Sequence, residues 1–283
     1  MIDGNSILTG VIGSPINHTQ SPRIHNYWLN HYKINGAYLP LHVSNENLEQ
    51  TVKLLPKIGF KGFNVTLPHK ENIIPYLDTI DPIAIKIGAV NTITVNKSGN
   101  LFGFNTDGYG FLENIRKNVT DWNPKRTIVS LIGAGGAARA IIISLIESGV
   151  QEIRLFNRTY DRAKKLAKHV DGPIKVLKWD DLERGIIGSN LLVNTTSLGM
   201  RGMPPLCIEL SSFSSELIVA DIVYSPLRTP LLRQASNAGM RAIGGLGMLL
   251  YQACPGFNSW YGKKPEVSQH LEQSIILQMG LEN

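Results

Sequence analysis

The sequence predicts an α/β protein of one or two domains, on three observations. Its 283 residues correspond to one or two domains at roughly 150 residues each. Apolar runs typical of strands alternate along the chain with helical patterns. The second half opens with a strand, a helix and a strand at 127–156, a unit that requires parallel strands joined by a right-handed crossover.

The composition excludes several classes of protein. Hydrophobic residues make up 43% and charged residues 18%, as in globular rather than disordered chains. The two cysteines, Cys207 and Cys254, have no C-x-x-C spacing, which excludes a disulfide framework and predicts no metal site. No apolar run reaches the roughly 18 residues of a membrane span, and the N-terminus lacks the pattern of a secretory leader. We therefore expect a cytoplasmic protein that does not enter a membrane.

The net charge of 28 − 22 = +6 suits an anionic small molecule as well as nucleic acid. The basic residues are scattered, with one local cluster within 158–168, and no run of five like charges occurs. Since nucleic-acid binding requires a coherent basic stripe, we expect no nucleic-acid partner. A monomer and a homodimer both remain open.

The first hundred residues alternate between strands and helices and end in a hairpin. The segments 89–95 and 101–104 flank Lys97-Ser98-Gly99-Asn100, a turn typical of hairpins, and Asp107 stands where the next helix begins. The remaining predicted elements of this half are strands at 8–12, 37–43 and 62–67 and helices at 22–33 and 48–55.

The second half continues the alternation to the end of the chain. From about Met248 the tail is helical in pattern, with breaks expected at Pro255 and Pro265. The elements predicted before it are a strand at 127–132, a helix at 138–148, a strand at 152–156, a helix at 160–169, and strands at 174–178, 191–194 and 217–222.

A glycine-rich turn follows the strand at 127–132. The run Gly133-Ala134-Gly135-Gly136-Ala137-Ala138 fits G-x-G-x-x-A between a strand and a helix. The first glycine permits a tight turn, the second lets a pyrophosphate approach the backbone, and the small third position lets helix and strand pack closely. Since helix N-terminal amides bind anions, this Rossmann-type turn predicts dinucleotide binding by Gly133, Gly135, Gly136 and Ala137.

The end of the next strand indicates which dinucleotide is bound. A cofactor without a 2′-phosphate usually meets an acidic residue there, but this chain has Asn157-Arg158-Thr159, with Arg162 one helical turn further on. Guanidinium groups pair phosphate through two parallel hydrogen bonds. The sequence therefore favours NADP over NAD.

Four short polar segments lie next to predicted strands in the first half: His18-Thr19-Gln20-Ser21-Pro22, Asn64-Val65-Thr66-Leu67-Pro68-His69-Lys70, Ala89-Val90-Asn91-Thr92 and Asn105-Thr106-Asp107-Gly108. Each segment alone is ordinary turn and capping chemistry. Together they supply the donors and acceptors that a small polyhydroxylated ligand needs.

These segments, with GAGGAAR, NRT, NTTSLGM and GLGML, occur in the order and approximate spacing of the shikimate dehydrogenase family, which essentially the whole chain resembles. The resemblance implies a substrate-binding α/β domain at 1–106 completed by C-terminal helices at 248–283. It implies a Rossmann-type NADP-binding domain at 107–247. It also implies NADPH-dependent, reversible reduction of 3-dehydroshikimate to shikimate in aromatic amino-acid biosynthesis.

The resemblance also implies roles for residues. Thr19 and Ser21 would bind the substrate carboxylate, and Lys70 would be the catalytic lysine with Asp107 beside it. The family commonly has serine where this chain has Thr19, which keeps the donor and adds a methyl group. The other matching positions are Asn64, Thr66, Asn91, Asp107 and Gln252 for the ring hydroxyls, Asn157, Arg158, Thr159 and Arg162 for the 2′-phosphate end of the cofactor, Thr196 and Met200 for the loop along the cofactor, and Tyr224 and Gly245 near the nicotinamide and substrate.

Reducing a ketone takes a hydride on carbon and a proton on oxygen. The nicotinamide supplies the hydride, and a lysine ammonium stabilises the developing alkoxide and donates the proton. Lys70 and Asp107 are 107 − 70 = 37 residues apart, so their contact is a hypothesis about the fold. If they meet, the carboxylate orients the amine and favours its charged form, while burial opposes it.

Two other functions remain open from the sequence. One is a quinate/shikimate dehydrogenase that also uses NAD. Two residue pairs argue against it, Arg158 with Arg162 and Asn64 with Thr66. The other is a regulatory module that binds NADP without catalysis, against which the presence of Lys70 and Asp107 counts.

Overall fold

The computed structural model describes residues 2–280 of the chain. It falls into two compact units, an N-terminal unit of residues 2–106 and 252–279 and a central unit of residues 107–251. The chain passes between them after residues 106 and 251, compared with the predicted 106 and 247. The second passage lies inside one uninterrupted helix, Gly245–Tyr261.

A six-stranded mixed sheet forms the N-terminal unit. The strand order is β2-β1-β3-β5-β6-β4. Its interior is apolar and includes Ile12, Phe63 and Ile93, each fully buried. The elements before the central unit are strands β1 Ile7–Gly13, β2 Gly36–His42, β3 Phe60–Val65, β4 Thr79–Ile80, β5 Thr92–Val95 and β6 Leu101–Phe104, and helices α1 Ser21–His31, α2 Leu48–Leu54, α3 His69–Asn72 and α4 Pro82–Ile87.

The direction of these strands determines which loops meet. β1 runs parallel to β2 and β3, whereas β5 runs antiparallel to both β3 and β6. The predicted hairpin of β5 and β6 is therefore confirmed. The ends of β1, β3 and β6 and the start of β5 consequently share one edge of the sheet.

A six-stranded parallel sheet forms the central unit. Its order is β12-β11-β10-β7-β8-β9, the Rossmann-type arrangement in which a ligand crevice opens where the strand order reverses, between β7 and β10. The α/β class is confirmed. The elements from residue 107 onward are helices α5 Asp107–Asn118, α6 Gly136–Glu147, α7 Tyr160–His169, α8 Leu182–Ile186, α9 Pro230–Asn237, α10 Gly245–Tyr261 and α11 Gln269–Met279, and strands β7 Ile128–Ile132, β8 Glu152–Phe156, β9 Ile174–Leu177, β10 Leu191–Asn194, β11 Ile218–Asp221 and β12 Arg241–Ile243.

The expected break at Pro255 is wrong, because α10 continues through it. Cys254, Phe257 and Trp260 on this part of α10 are all at least nine-tenths buried. Their burial offsets the backbone hydrogen bond that proline cannot make. Pro265 lies between α10 and α11, where a break was predicted.

No helix among residues 2–280 is long and apolar enough to cross a membrane.

Candidate active site

The four polar segments singled out in the first half meet at one edge of the N-terminal sheet. They follow β1, β3 and β6 and precede β5, whose directions bring these ends together. Backbone hydrogen bonds tie two of these segments to the ends of neighbouring strands. Ser14 N, directly after β1, donates to the Leu67 carbonyl at 3.0 Å, and Asn91 N donates to the carbonyl of Phe104, the last residue of β6, at 3.1 Å. The edge is thus one polar surface assembled from separate parts of the sequence.

Asn64 lies at the centre of a buried hydrogen-bond network at this edge. Its amide nitrogen donates to the Asn91 carbonyl and to Thr92 Oγ1, both at 3.0 Å. Its Oδ1 accepts from the Tyr38 hydroxyl at 2.6 Å. Asn64 is 7% exposed, so its orientation is set by protein groups. The second lone pair of its Oδ1 can still accept a hydrogen bond from a ligand.

Asn91 extends the network to the helix α10. Its Oδ1 accepts from Thr106 N at 3.0 Å and from Thr92 Oγ1 at 2.8 Å, and its Nδ2 lies 3.0 Å from Thr106 Oγ1. Thr106 Oγ1 in turn lies 3.4 Å from Gln252 Oε1. Asn64, Asn91 and Gln252 were all predicted site residues, and one network contains them.

Thr19 and Ser21 lie at the start of α1. Thr19 Oγ1 accepts a long hydrogen bond, 3.4 Å, from Ser21 N, and both residues are partly exposed. Thr66 follows β3 and is anchored by its N–H on the Ile12 carbonyl at 3.0 Å. The backbone of Thr66 is therefore fixed on β1, while Thr19 and Ser21 are carried by the turn that leads into α1.

Lys70 lies in the short helix α3, partly buried, beside the fully buried His69. His69 Nε2 donates to the Val43 carbonyl at 2.6 Å, which anchors this turn. The Lys70 carbonyl accepts from Val90 N at 2.8 Å, and Val90 precedes Asn91. Lys70 and Asn91 are thus held on adjoining, hydrogen-bonded segments.

Asp107 is the first residue of α5 and belongs to the central unit. It follows Thr106 directly in the chain, and Thr106 is hydrogen-bonded to Asn91. Gly108 packs α5 against α6 so closely that a Cβ there would lie 1.8 Å from Ser144 Oγ. The backbone position of Asp107 therefore depends on this glycine.

Sequence reasoning missed three residues of the network: Tyr38, Thr92 and Thr106. Thr92 and Thr106 stood inside two of the four polar segments without an assigned role. Tyr38 lies on the edge strand β2, where no local pattern distinguishes it from a core aromatic residue. All three are buried and act on other site residues.

The glycine-rich turn of the central unit has the predicted geometry. Gly133 has φ +115°, and a Cβ there would lie 2.4 Å from Thr195 Oγ1, so only glycine fits. Cβ atoms at Gly135 and Gly136 would meet no atom of the described residues within 4 Å. The turn therefore leaves open space over the N-terminus of α6, where a pyrophosphate would sit.

The residues after β8 fit a 2′-phosphate. Arg158 and Arg162 are both exposed, and Arg162 Nε donates to the Ala134 carbonyl of the glycine-rich turn at 3.1 Å. Asn157 Nδ2 donates to the Thr159 carbonyl at 2.8 Å, closing the loop that carries Arg158. The sequence has no acidic residue at the end of β8, so the donors suit an added phosphate.

The loops after β10 and β11 are joined by a buried carboxylate. Asp221 accepts from Asn194 Nδ2 at 3.0 Å, from Val223 N at 3.0 Å and from Thr229 Oγ1 at 2.7 Å. Burial raises the pKa of Asp221, and these hydrogen bonds oppose that rise. Asn194 Oδ1 accepts from the main-chain and hydroxyl donors of Thr196. The network therefore shapes the loop that contains Thr196.

The remaining cofactor-side predictions lie near these loops. Met200 is 39% exposed, and Tyr224 is half-buried, with its pKa raised by burial. Gly245 begins α10, and a Cβ there would lie 2.1 Å from the Ile222 carbonyl. The close packing of this position against Ile222 is therefore sufficient to require glycine at 245.

Among residues 2–280, no group of three or more His, Cys, Asp or Glu side chains is arranged to hold a metal ion.

Two family models match the chain. Residues 11–93 match the shikimate dehydrogenase substrate binding domain. Residues 114–200 match the model described as shikimate / quinate 5-dehydrogenase.

Similar proteins cover nearly the whole chain. A shikimate dehydrogenase (NADP(+)) of Paramagnetospirillum magneticum is 47% identical over 97% of this chain and 100% of its own. A solved shikimate dehydrogenase in complex with NADP+ is 33% identical, covers 98% of this chain and 97% of its own, and superposes with a TM-score of 0.89. A shikimate 5-dehydrogenase from Thermus thermophilus, solved with NADP(H) and shikimate, is 35% identical, covers 95% of this chain and 98% of its own, and has a TM-score of 0.83. The chain therefore belongs to the shikimate dehydrogenase family.

Proposed function

We propose that this chain catalyses the reversible, NADPH-dependent reduction of 3-dehydroshikimate to shikimate, a step of aromatic amino-acid biosynthesis. The observation that carries the proposal is the polar edge of the N-terminal sheet, where Asn64, Asn91 and Gln252 share one buried network beside Lys70. Such an edge offers acceptors and donors in fixed orientations, as recognition of several ring hydroxyls requires.

The N-terminal unit binds the cyclic hydroxy-acid in this proposal. Thr19 and Ser21 hold its carboxylate, since both residues are partly exposed at the start of α1. Asn64, Thr66, Asn91 and Gln252 orient the ring hydroxyls. Burial of a polar group that lacks its partner costs about 1–3 kcal/mol, so a ligand without the matching hydroxyls is disfavoured.

The central unit binds the cofactor. The turn Gly133–Ala137 holds the pyrophosphate, and Arg158 with Arg162 pairs the 2′-phosphate. When bound, NADPH supplies the hydride that the ketone carbon requires. Thr196, Met200, Tyr224 and Gly245 line the nicotinamide end in this proposal.

Lys70 supplies the proton. In the direction of reduction its ammonium donates a hydrogen bond to the ketone oxygen and then transfers the proton to the alkoxide. In the reverse direction the neutral amine accepts that proton. Asp107 orients the amine and accepts a hydrogen bond from a ring hydroxyl.

The test is a spectrophotometric assay that follows NADPH absorbance. Purified protein is supplied with shikimate or quinate, each with NADP+ or NAD+. We expect shikimate with NADP+ to give the highest kcat/KM of the four. No shikimate-dependent reduction of NADP+ would refute the proposal, and faster turnover of quinate with NAD+ would favour a quinate dehydrogenase.

Three further expectations stay predictions: a cytoplasmic location, a monomeric or homodimeric state, and the absence of a nucleic-acid partner. Size-exclusion chromatography with light scattering measures the oligomeric state. A shift assay at two salt concentrations tests nucleic-acid binding, since phosphate contacts weaken steeply with salt.

A further inference from the structure

Tyr38 is a fully buried tyrosine whose hydroxyl reaches the polar edge of the N-terminal sheet. It is 1% exposed and lies on β2, outside the four polar segments. Its hydroxyl donates to Asn64 Oδ1 at 2.6 Å. Burial raises the pKa of Tyr38 well above its usual value, and the Ser21 side chain opposes that rise. The hydroxyl therefore stays protonated and donates to a residue of the candidate substrate site.

The ring and the backbone of Tyr38 are held from α1. The imidazole of His25 stacks flat on the phenol ring, with 4.1 Å between centroids and 1° between planes. Asn26 clamps the main chain, because its Nδ2 donates to the Tyr38 carbonyl at 2.9 Å and its Oδ1 accepts from Tyr38 N at 3.1 Å. The place of the hydroxyl is thus determined by contacts on every part of the residue.

This placement gives the side-chain oxygen of Asn64 its protein hydrogen-bond donor. The Asn91 carbonyl can only accept, so the atom facing it is Nδ2, which donates its two protons to Asn91 and Thr92. Oδ1 therefore faces the Tyr38 hydroxyl, which donates to it. Without the Tyr38 hydroxyl, the buried Oδ1 loses its protein donor, and the amide is held only through Nδ2.

We propose that Tyr38 is a positioning residue for substrate recognition, acting through Asn64 without touching the substrate. The inference rests on the proposed function, because it takes the polar edge as the place where shikimate binds. In this arrangement Asn64 accepts a hydrogen bond from a ring hydroxyl and does not donate one. Asn64 thereby selects the orientation of the ring before the hydride is transferred.

The test is the variant Tyr38→Phe, which removes the hydroxyl and keeps the stacked ring. We expect the KM for shikimate to rise about 3- to 10-fold, the effect of one net hydrogen bond. Because the substrate contact is made alike before and during the reaction, kcat should change less than about 3-fold. The KM for NADP+ should not change.

Tyr261→Phe is the matched control. Tyr261 is also a tyrosine of the N-terminal unit with a 2.6 Å hydrogen bond, in its case to Thr9 Oγ1, and burial raises its pKa to about 12. Its loss should lower the melting temperature about as much as Tyr38→Phe does and leave the KM for shikimate unchanged. Equal shikimate KM values in the two variants would overturn the inference.

A double variant tests the path through Asn64. In an Asn64→Ala background, Tyr38→Phe should raise the KM for shikimate by a smaller factor than in the wild type, since coupled residues are non-additive. An undiminished factor would overturn the inference while the proposed function stands. A wild-type protein that does not oxidise shikimate would instead overturn the proposed function and this inference with it.

Discussion

Replacing His25 by phenylalanine should reduce the loss of unfolding free energy that the N-terminal unit suffers as the pH falls. His25 is fully buried, and neither ring nitrogen has a hydrogen-bond partner within the described part of the chain. It is enclosed by Tyr38, Trp28, Phe257 and Trp260, with ring centroids 4.1 to 5.9 Å away. Burial lowers the pKa of His25 to about 3 from 6.5, because the charged imidazolium would lose its contact with water.

The sign and size of the effect follow from proton linkage. Below pH 6.5 the unfolded chain takes up a proton at His25 that the folded protein does not bind until about pH 3. The free energy of unfolding is therefore intact above pH 6.5 and falls by about 1.4 kcal/mol per pH unit below it. Between pH 7 and pH 5 the loss from this one residue is about 2 kcal/mol.

Guanidinium unfolding followed by tryptophan fluorescence measures this loss. Replacing Trp122 and Trp179 of the central unit by phenylalanine leaves Trp28 and Trp260 as reporters beside residue 25. In that background the difference in unfolding free energy between wild type and His25→Phe should shift by about 2 kcal/mol from pH 7 to pH 5, in favour of the variant. Other titrating groups are common to both proteins and cancel. Equal pH dependences would refute the argument that His25 is buried and neutral.

Three further changes have defined outcomes. Arg158→Ala should raise the KM for NADPH about 10- to 100-fold, the value of a hydrogen bond to a charged group, and leave the KM for NADH nearly unchanged; equal effects on both would reject the 2′-phosphate assignment. Gly108→Ala should lower the unfolding free energy by about 1–3 kcal/mol, because α5 must move away from Ser144 to make room for the added methyl group. Since Asp107 moves with α5, kcat should also fall. An unchanged melting temperature would contradict this. Asp221→Asn should become more stable relative to the wild type as the pH rises above 4, because the wild-type carboxyl has a raised pKa and its ionisation destabilises the folded protein. Denaturation at pH 4 and pH 7 measures this difference in unfolding free energy. A variant that loses stability relative to the wild type as the pH rises would contradict it.

Local patterns predicted the geometry of the glycine-rich turn well. The spacing of Gly133, Gly135 and Gly136 between a strand and a helix encodes its own geometry, because tight turn, open amides and close packing are properties of neighbouring residues. The exposed Arg158 after the next strand is a local feature of the same kind. The structure has both features where the sequence placed them.

The polar edge was predictable as a set of segments but not as a network. The hydrogen bond of Tyr38 to Asn64 joins residues 26 apart, and that of Thr106 to Gln252 joins residues 146 apart. Such contacts depend on strand order and direction, which no short motif encodes. Tyr38 was missed for this reason.

The predictions from sequence were wrong at two helices, for opposite reasons. The helix α4 was overlooked although its boundaries are local: Asp81 accepts from the main-chain N–H groups of Ile83 and Ala84, Pro82 stands in the first turn, and Gly88 ends it with φ +68°. In α10 the local rule for Pro255 was overridden by burial of its neighbours. In α4 the capping residues determined the helix although its apolar periodicity is weak. In α10 tertiary packing outweighed the low helix propensity of proline.

The most direct test of the central claim is single-turnover hydride transfer in Lys70→Ala. Stopped-flow absorbance follows NADPH formation from shikimate, and calorimetry measures the Kd of shikimate. We predict that the rate falls by about 10²- to 10⁴-fold while the Kd changes less than about 3-fold, because the amine moves a proton and is not the main binding group. A transfer rate near that of the wild type would contradict the assignment of the proton to Lys70.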